Sequence, residues 1–421
     1  MSQSTGALWR HPDFLNLWIG QAGSAFGSNV GGFALDLTAV LTLHASPGQM
    51  AMLNGALFLP PVLVTPLAGI WADRFRRRPL LLLCDAGRAL SLGSIPAAAL
   101  SGHLVLTYLY VAAAICSALT AVFTVTYRAY LPAMIGADLL VDANGAMQGT
   151  AAVAETAGFG IAGLLVQRLT APMALAVDAV SFLLSAVTIA GTRGDTPERR
   201  DAQYCRRIDP MAGSRVVWHD PVLRALLATA LFWDLASGMI GVVIVLFFVR
   251  DLHLPPIILG PLFGLGGISS LFGALLAGRL GRRFPLRRVL VAALYVDTAG
   301  MLPVVLAAGP LTVAALLVAL GQVTDAGRAV YEIHALSLVQ QRTPHERAGA
   351  VNAVFQSAQV SALAVGLVIG GVLGNAIGLR PTLIVAFGLE LLLPLCLLRS
   401  NGAAWAEAGE RRGDPARISA V

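Results

Sequence analysis

An arginine placed between two carboxylates is the densest group of ionisable side chains within an apolar stretch of this sequence. Asp325, Arg328 and Glu332 are spaced i, i+3, i+7, so on a helix they lie within about 60° of one another. Gln322 and Tyr331 extend the same stripe. One arginine between two acids can release one pairing when a carboxylate takes up a proton. The spacing therefore indicates a proton-coupled or substrate-binding site. The alternative is a structural ion pair that braces the helix.

Other polar residues interrupt apolar runs elsewhere in the chain. A charge at the centre of a membrane helix costs roughly 2.5–3.5 kcal/mol, so these residues are expected to face a cavity or each other. Glu155 has no acidic counterpart in the second half, where Leu363 is equivalent, and it is a candidate proton carrier. Asp178, Asp297 and Glu390 are predicted to be structural partners. The further candidates for substrate binding or proton coupling are Asp36, Asp234, Gln21, Asn29, Gln148 and Gln356.

The composition predicts an all-α integral membrane protein. The 421 residues are 57% hydrophobic and 12% charged, whereas soluble domains carry about 25% charged residues. A spanning helix needs roughly 20 apolar residues, which gives twelve predicted transmembrane helices. The predicted spans are 14–43, 49–72, 79–100, 104–127, 141–168, 171–192, 222–249, 256–278, 286–308, 310–339, 348–375 and 379–398.

The distribution of arginine predicts the orientation of the chain. All 29 basic residues are arginine. Twenty-four of them lie in the N-terminus, in the loops after the second, fourth, sixth, eighth and tenth spans, and in the C-terminal tail. The loops on the opposite side contain only Arg168, Arg250 and Arg380. Because short cytoplasmic loops hold the excess of positive charge, both termini are expected in the cytoplasm. The net charge of +6 follows from the same rule and does not indicate a nucleic-acid partner.

The composition also argues against several kinds of site. Without lysine the chain cannot form the Gly-x-x-x-x-Gly-Lys-[Ser/Thr] loop of an ATPase. The four cysteines are scattered, which fits neither a metal cluster nor a disulfide framework. No nucleophile motif stands out. We therefore expect no enzyme activity, no cofactor and no metal.

Two motifs recur at a nearly constant distance and predict two pseudo-symmetric six-helix bundles. Ala68-Gly69 is followed 209 residues later by Ala277-Gly278. Asn144-x-x-x-Gln148 is followed 208 residues later by Asn352-x-x-x-Gln356. Parallel repeats of this kind occur in transporters, with substrate bound near the membrane midplane. The predicted domains are an N-terminal bundle (1–192), a cytoplasmic linker (193–221), a C-terminal bundle (222–398) and a disordered tail (399–421).

The loop after the second predicted span carries a family signature. Gly69-x-x-x-Asp73-Arg74-x-x-Arg77-Arg78 matches the signature of the major facilitator superfamily. Asp85-Ala-Gly-Arg88, Trp18-Ile-Gly-Gln21 and Val177-Asp178-Ala-Val-Ser181-Phe182 resemble the branch that contains enterobactin exporters and macrolide efflux proteins. Arg76 departs from the usual glycine of the signature. The antiporter motif of the fifth span is present only as Gly158-Phe-Gly160-Ile-Ala-Gly163, with Phe159 where proline is usual.

The resemblance implies roles for several residues. In the superfamily the first helix of each half lines the central cavity, so Asp36 and Asp234 become candidates for binding substrate or protons. Gating of the cytoplasmic side is implied for residues of the signature and of the helix that follows it. These are Gly69, Asp73, Arg74, Arg77, Arg78, Asp85 and Arg88.

The function expected from the resemblance is secondary transport by alternating access in the bacterial inner (plasma) membrane. The substrate would be a small organic molecule, such as a drug, siderophore or secondary metabolite, exported in exchange for protons by a monomer surrounded by lipid. Two alternatives on the same fold are a metabolite importer or facilitator and a lipid flippase. An alternative of another class is a membrane sensor or scaffold that does not transport.

Overall fold

The structure is a computed structural model that describes residues 8–135, 139–192, 211–399 and 405. Within these ranges almost every residue is helical and none is in a strand. The predicted disordered tail lies outside the described residues apart from Arg399 and Trp405, and so does most of the predicted linker. The described end of the linker forms a short helix, Ala212–His219.

The first half contains six long helices. Their bounds are α1 (Pro12–Leu37), α2 (Pro47–Arg74), α3 (Arg77–Leu100), α4 (Leu106–Ile135), α5 (Leu140–Leu169) and α6 (Ala171–Ala190). Proline at the first position of α1 and α2 suits a helix start, because its missing N–H would have no partner there. At α2 the Ser46 side chain accepts from the Gln49 backbone and the Gln49 side chain accepts from the Ser46 backbone, which is a capping box.

The second half repeats this order with two interrupted spans. Its helices are α7 (Ala212–His219), α8 (Pro221–Leu246), α9 (Pro256–Arg283), α10 (Leu286–Leu306), α11 (Leu311–Val323), α12 (Asp325–Arg342), α13 (Ala348–Ala376), α14 (Leu379–Glu390) and α15 (Leu393–Leu398). The predicted span 310–339 is divided at Thr324 into α11 and α12. The predicted span 379–398 is divided into α14 and α15 after Glu390.

Eleven segments of the described chain are long and apolar enough to cross a membrane. They match the predicted spans from the second to the twelfth. The predicted first span corresponds to α1, continued by a π-helical turn over Thr38–Thr42, and it is not among the eleven. The count of twelve and the cytoplasmic location of the termini therefore stay predictions.

The described chain forms two compact units. Unit 1 comprises Met1–Gln203 and Phe248–Gly264, and unit 2 comprises Tyr204–Phe247 and Leu265–Val421. This division differs from the predicted domains, which follow the order of the chain and stay a prediction. In unit 1, α1 packs against α5 and α6, and α3 packs against α4 and α6. In unit 2, α8 packs against α13 and α14, and α10 packs against α11 and α12.

The irregular backbone conformations recur along the chain with the same offset as the two sequence motifs. Two π-helical turns, Thr38–Thr42 and Phe247–Asp251, begin at equivalent positions of the repeat. Two histidines with positive φ follow them, His44 at 50° and His253 at 54°. Thr170 and Gly378 form a second equivalent pair, with φ of 90° and 94°. The predicted internal repeat is thus visible in the conformation of the loops as well as in the sequence.

Arginine side chains hold the end of the last helix in each half by equivalent bonds. Arg78 donates to the carbonyls of Ile189 and Ala190 at the end of α6. Arg287, at the equivalent position of the second half, donates to Leu397 and Leu398 at the end of α15, with an Nη2···O distance of 2.7 Å to Leu398. The last carbonyls of a helix lack partners within the helix and carry partial negative charge. A guanidinium at this point therefore satisfies both the hydrogen bonds and the charge.

Candidate functional site

The predicted stripe of Asp325, Arg328 and Glu332 lies on α12. Arg328 Nε donates to Glu332 Oε1 at 2.9 Å, and the two side chains are 53% and 57% exposed. Asp325 begins the helix, where a carboxylate is favoured by the partial positive charge of the helix start. Its carboxylate lies against Gly266 of α9, which has no side chain to displace it. The structure therefore brings the three residues together on one helix, with a direct bond only between Arg328 and Glu332.

A pair of aromatic rings supports Arg328. Trp233 of α8 and Tyr331 of α12 are stacked, with ring centroids 5.8 Å apart and an interplanar angle of 7°. The guanidinium carbon of Arg328 lies 5.5 Å from the centroid of a Trp233 ring, within the range of a cation–π interaction. The arginine is thus held between a carboxylate and an aromatic face, both of which can also recognise a ligand.

Three further carboxylates of unit 2 interact electrostatically with Arg328. Asp234 lies next to Trp233, and one of its carboxylate oxygens is buried without a hydrogen-bond partner among the described residues. Asp297 of α10 interacts with Asp325, Arg328 and Glu332. Glu390, the last residue of α14, interacts with Asp297 and Arg328. Asp234 is a predicted site residue, whereas Asp297 and Glu390 are predicted to be structural partners.

The internal repeat contained a signal for these two acids. Asp297 and Glu390 are equivalent in the repeat to Arg88 and Phe182 of the first half. In unit 1 the guanidinium carbon of Arg88 is 4.2 Å from the Phe182 ring centroid. The equivalent positions of unit 2 are therefore neighbours as well, but both carry a carboxylate.

The cluster around Arg328 contains more negative than positive groups. Five carboxylates interact with one guanidinium: Asp234, Asp297, Asp325, Glu332 and Glu390. Uncompensated charge is costly within a bilayer. With all five carboxylates ionised the group would carry a net charge of −4, which bound protons or a positively charged ligand would reduce. We call this group, together with Trp233 and Tyr331, the acidic cluster.

Unit 1 contains a different charged centre, in which Asp85 and Arg88 form a buried ion pair. The Arg88 guanidinium carbon lies 4.1 Å from the Phe123 ring centroid and 4.2 Å from that of Phe182, so it is enclosed by two aromatic faces. The two side chains are 0% exposed for Asp85 and 4% exposed for Arg88, which places the pair in the core of unit 1.

The predicted gate includes this ion pair and the signature loop. Arg77 Nη1 donates to the Ala129 carbonyl of α4 at 3.0 Å, and Arg78 holds the end of α6. The side chain of Asp73 is outside the described part of the structure, Gly69 has open space beside it, and Arg74 is exposed. The described bonds brace helices of unit 1, and the gating role stays a prediction.

A polar pocket in unit 1 contains two of the predicted residues. It has a volume of about 260 Å³, and Gln21, Gln148, Asn144, Tyr127 and Arg128 are among its lining residues. The Tyr127 hydroxyl is buried, and no described residue forms a hydrogen bond with it. A pocket with amides, a hydroxyl and an arginine can accept the hydrogen-bonding groups of a ligand.

The remaining candidates do not join either site. Glu155 is exposed on α5, Gln356 is exposed on α13, and Asp36 is partly buried near the end of α1. The Asn29 side chain donates to the Ala25 carbonyl of its own helix at 2.9 Å. Their roles in binding or coupling stay predictions. Among the residues that the structure describes, no group of three metal-binding side chains is found.

The antiporter-like segment of α5 is an element of close helix packing. A side chain at Gly158 would meet Asn29, and one at Gly163 would meet the Pro256 carbonyl and Gly260 of α9. Gly160 has nothing within 4 Å. These glycines therefore differ in role, although they belong to one motif.

Phe159, which replaces the usual proline of this motif, contributes to an aromatic cluster within unit 1. Its ring centroid is 6.2 Å from that of Phe33 and 5.8 Å from that of Phe263. Phe248 lies 6.0 Å from Phe263. Phe159, in place of the usual proline, therefore contributes aromatic packing within unit 1.

Comparison with known proteins decides the family. The model of the Major Facilitator Superfamily matches residues 17–367, which is most of the chain. The protein belongs to the Major Facilitator Superfamily. The predicted family and the all-α membrane fold are confirmed. Proteins of this superfamily are membrane transporters, and this member is a multi-pass protein of the bacterial inner membrane.

Two curated relatives of this superfamily member are bacterial transporters. The multidrug efflux pump Tap of Mycobacterium tuberculosis is 29% identical over 374 residues, covering 85% of this chain and 84% of Tap. The uncharacterized MFS-type transporter YfiS of Bacillus subtilis is 26% identical over 396 residues, covering 86% and 88%. These matches agree with the predicted efflux branch of the superfamily.

Solved structures of other superfamily members share the fold. A bacterial homologue of the iron transporter ferroportin in an inward-facing state has a TM-score of 0.72 at 17% identity, covering 92% of this chain and 98% of that chain. The nucleoside transporter NupG has a TM-score of 0.72 at 13% identity, covering 92% and 98%. At these identities the likeness concerns the fold alone.

Proposed function

We propose that this superfamily member exports a small organic molecule in exchange for protons by alternating access. The relation to a multidrug efflux pump supports export of an organic compound, such as a drug, siderophore or secondary metabolite. The observation that carries proton coupling is the acidic cluster, in which five carboxylates interact with one arginine.

The exposed bond between Arg328 and Glu332 supplies a means of coupling. A proton on Glu332 removes its charge and weakens the charge-assisted bond to Arg328. Arg328 is then released to interact with Asp297 or Asp325, with which it already interacts electrostatically. Protonation and the position of the arginine are thereby linked. The Trp233 face lies beside this group and offers an apolar and cation-binding surface to a substrate.

Efflux of a panel of dyes, antibiotics and siderophores tests the proposal. Cells or proteoliposomes that contain the protein are assayed with and without an imposed proton gradient. We expect loss of one compound class that depends on the gradient and is at least about tenfold slower in Glu332→Gln. Glu346→Gln is the matched control, because Glu346 is an exposed acid in the loop after α12.

Two outcomes would contradict the proposal. Transport that follows only the gradient of the solute would make the protein a facilitator. Gradient-dependent export by Glu332→Gln at the wild-type rate would remove Glu332 from the coupling mechanism.

A further inference from the structure

An apolar groove crosses part of unit 2 between α9, α10 and α12. It has a volume of about 380 Å³, and among its lining residues are Gly273, Leu280, Ala292 and Val296, with Phe284 and Arg288 at one end. At that end lies the arginine-rich turn, residues 279–288. A second arginine is close, since the Arg283 guanidinium carbon is 5.8 Å from the Phe284 ring centroid.

The length of the groove corresponds to one leaflet of a bilayer. Gly273 and Arg283 are ten residues apart on α9, which is about 15 Å along the helix axis. The hydrocarbon core of a bilayer is about 30 Å thick. The groove therefore extends from the level of the arginine-rich turn to about the middle of the bilayer, and its apolar lining suits acyl chains.

The repeat shows that the groove belongs to the second half of the chain. The residues of the first half that are equivalent to Gly273, Ala292 and Gly327 are Val64, Leu83 and Leu119. Pro79 takes the place of Arg288. Three small residues and an arginine in the second half thus replace three larger side chains and a proline. Compared with the first half, the groove of the second half is therefore both wider and positively charged at one end.

We propose that this groove is a binding site for one anionic phospholipid of the leaflet next to the arginine-rich turn. The acyl chains lie along the apolar lining, and the phosphate interacts with Arg288. Basic pockets between membrane helices bind anionic head groups in this way. The site is distinct from the acidic cluster, whose charge would repel such a head group.

Lipid retention measured by native mass spectrometry tests this site without a transport assay. The purified protein is delipidated and equilibrated with equal amounts of phosphatidylglycerol and phosphatidylethanolamine that carry the same acyl chains. We expect one tightly retained lipid with about a fivefold preference for phosphatidylglycerol, the effect of about one arginine near the surface. Arg288→Gln should abolish the preference. Ala292→Leu, which introduces the residue of the first half, should displace the lipid of either type.

Two substitutions outside the groove serve as matched controls. Arg282→Gln removes an exposed arginine of the same turn that does not line the groove, and Ala97→Leu enlarges an exposed alanine on α3. Both should leave retention and preference unchanged. Equal retention of the two lipids by the wild-type protein, or an unchanged preference in Arg288→Gln, would overturn the proposal. If Ala292→Leu fails to fold, Arg288→Gln, a change at an exposed side chain, still decides the result.

Discussion

At the residue scale, the five carboxylates of the acidic cluster differ in what surrounds each of them. Glu332 is exposed and bonded to Arg328, Asp325 begins α12, and Glu390 ends α14. Asp297 interacts with three other acids, Asp325, Glu332 and Glu390. One arginine faces all five carboxylates. Removing any single carboxylate therefore changes the number of bound cations that would neutralise the acidic cluster.

We expect Asp297→Asn to uncouple export from the proton gradient. The amide has nearly the shape of the acid but cannot take up or release a proton. Gradient-driven export should fall by at least about tenfold, while the yield of folded protein stays near that of Glu346→Gln. Transport in proteoliposomes measures the change. Wild-type coupling in Asp297→Asn, with coupling lost in Glu155→Gln, would place the proton carrier on α5 instead.

The buried pair of unit 1 makes a prediction about stability. Arg88→Gln leaves the Asp85 carboxylate buried without its counter-ion, and breaking a buried pair in this way costs about 3–5 kcal/mol. The double variant Asp85→Asn/Arg88→Gln should recover most of this loss, because no uncompensated charge remains. The free energy of unfolding in detergent micelles measures both effects. Arg128→Gln, at an exposed position on α4, is the control. A loss in Arg88→Gln no larger than in this control would contradict the expectation.

The members of the acidic cluster on α12, and Asp234 on α8, were predicted from the sequence. Asp325, Arg328 and Glu332 follow from helical spacing alone. Asp297 and Glu390 lie on two other helices, and spacing along one helix carries no information about which residues of another helix face it. The repeat would have indicated that Asp297 and Glu390 are neighbours, because the equivalent residues Arg88 and Phe182 are in contact.

At the element scale, helix starts were predicted to within about two residues, whereas α4 and α9 extend beyond their predicted ends and the interruptions of spans were not predicted. Arginine-rich turns and prolines at helix starts mark the ends of spans in the sequence. The break after Glu390 precedes Pro394 in the first turn of α15, whose missing N–H cannot bond the Glu390 carbonyl four residues earlier. The break at Thr324 lies inside an apolar run with no proline at the break, and it depends on tertiary contacts. Within unit 2, Ser269 of α9 donates to the Val323 carbonyl and accepts from the Ala326 backbone, which satisfies groups that the break leaves without helical partners.

The glycines of the α5 segment allow a matched test of helix packing. Gly163→Ala would place a methyl group against the Pro256 carbonyl and Gly260, and overpacking of this kind costs about 1–3 kcal/mol. Gly160→Ala adds the same group where nothing lies within 4 Å. We expect a lower free energy of unfolding only for Gly163→Ala. Equal effects of the two substitutions would show that the contact between α5 and α9 adds nothing to stability.

At the scale of the whole molecule, the repeat is stronger in the backbone than in the side chains. The π-helical turns, the positive-φ residues and the arginines that hold the last helices all recur at the offset of the sequence motifs. The charged centres do not recur. Composition was sufficient to predict the all-α membrane fold, and the family signature indicated the superfamily, because these features do not depend on contacts between particular side chains. The acidic cluster, in contrast, is formed by side chains that differ between the two halves.

The two equivalent arginines should contribute to stability independently. Arg78→Gln and Arg287→Gln each remove charge-assisted hydrogen bonds to helix-terminal carbonyls, worth about 1.5–3 kcal/mol. Because each arginine acts within its own compact unit, the loss in the double variant should equal the sum of the two to within about 0.5 kcal/mol. Unfolding in detergent measures all three variants, with Arg282→Gln as the control. A double variant no less stable than either single variant would contradict this independence.

The stacked pair of Trp233 and Tyr331 also gives the protein an optical signal. Indole emission responds to nearby charge and to ring stacking, and Trp233 has both, with Tyr331 against one face and the Arg328 guanidinium 5.5 Å from its ring centroid. Any event that moves Arg328 therefore changes the emission of this one tryptophan among the six of the chain. The difference between the spectra of the wild-type protein and Trp233→Phe isolates that contribution. Titration of unlabelled protein with acid or with a transported compound would then report occupancy of the acidic cluster directly, without a radioactive or fluorescent substrate.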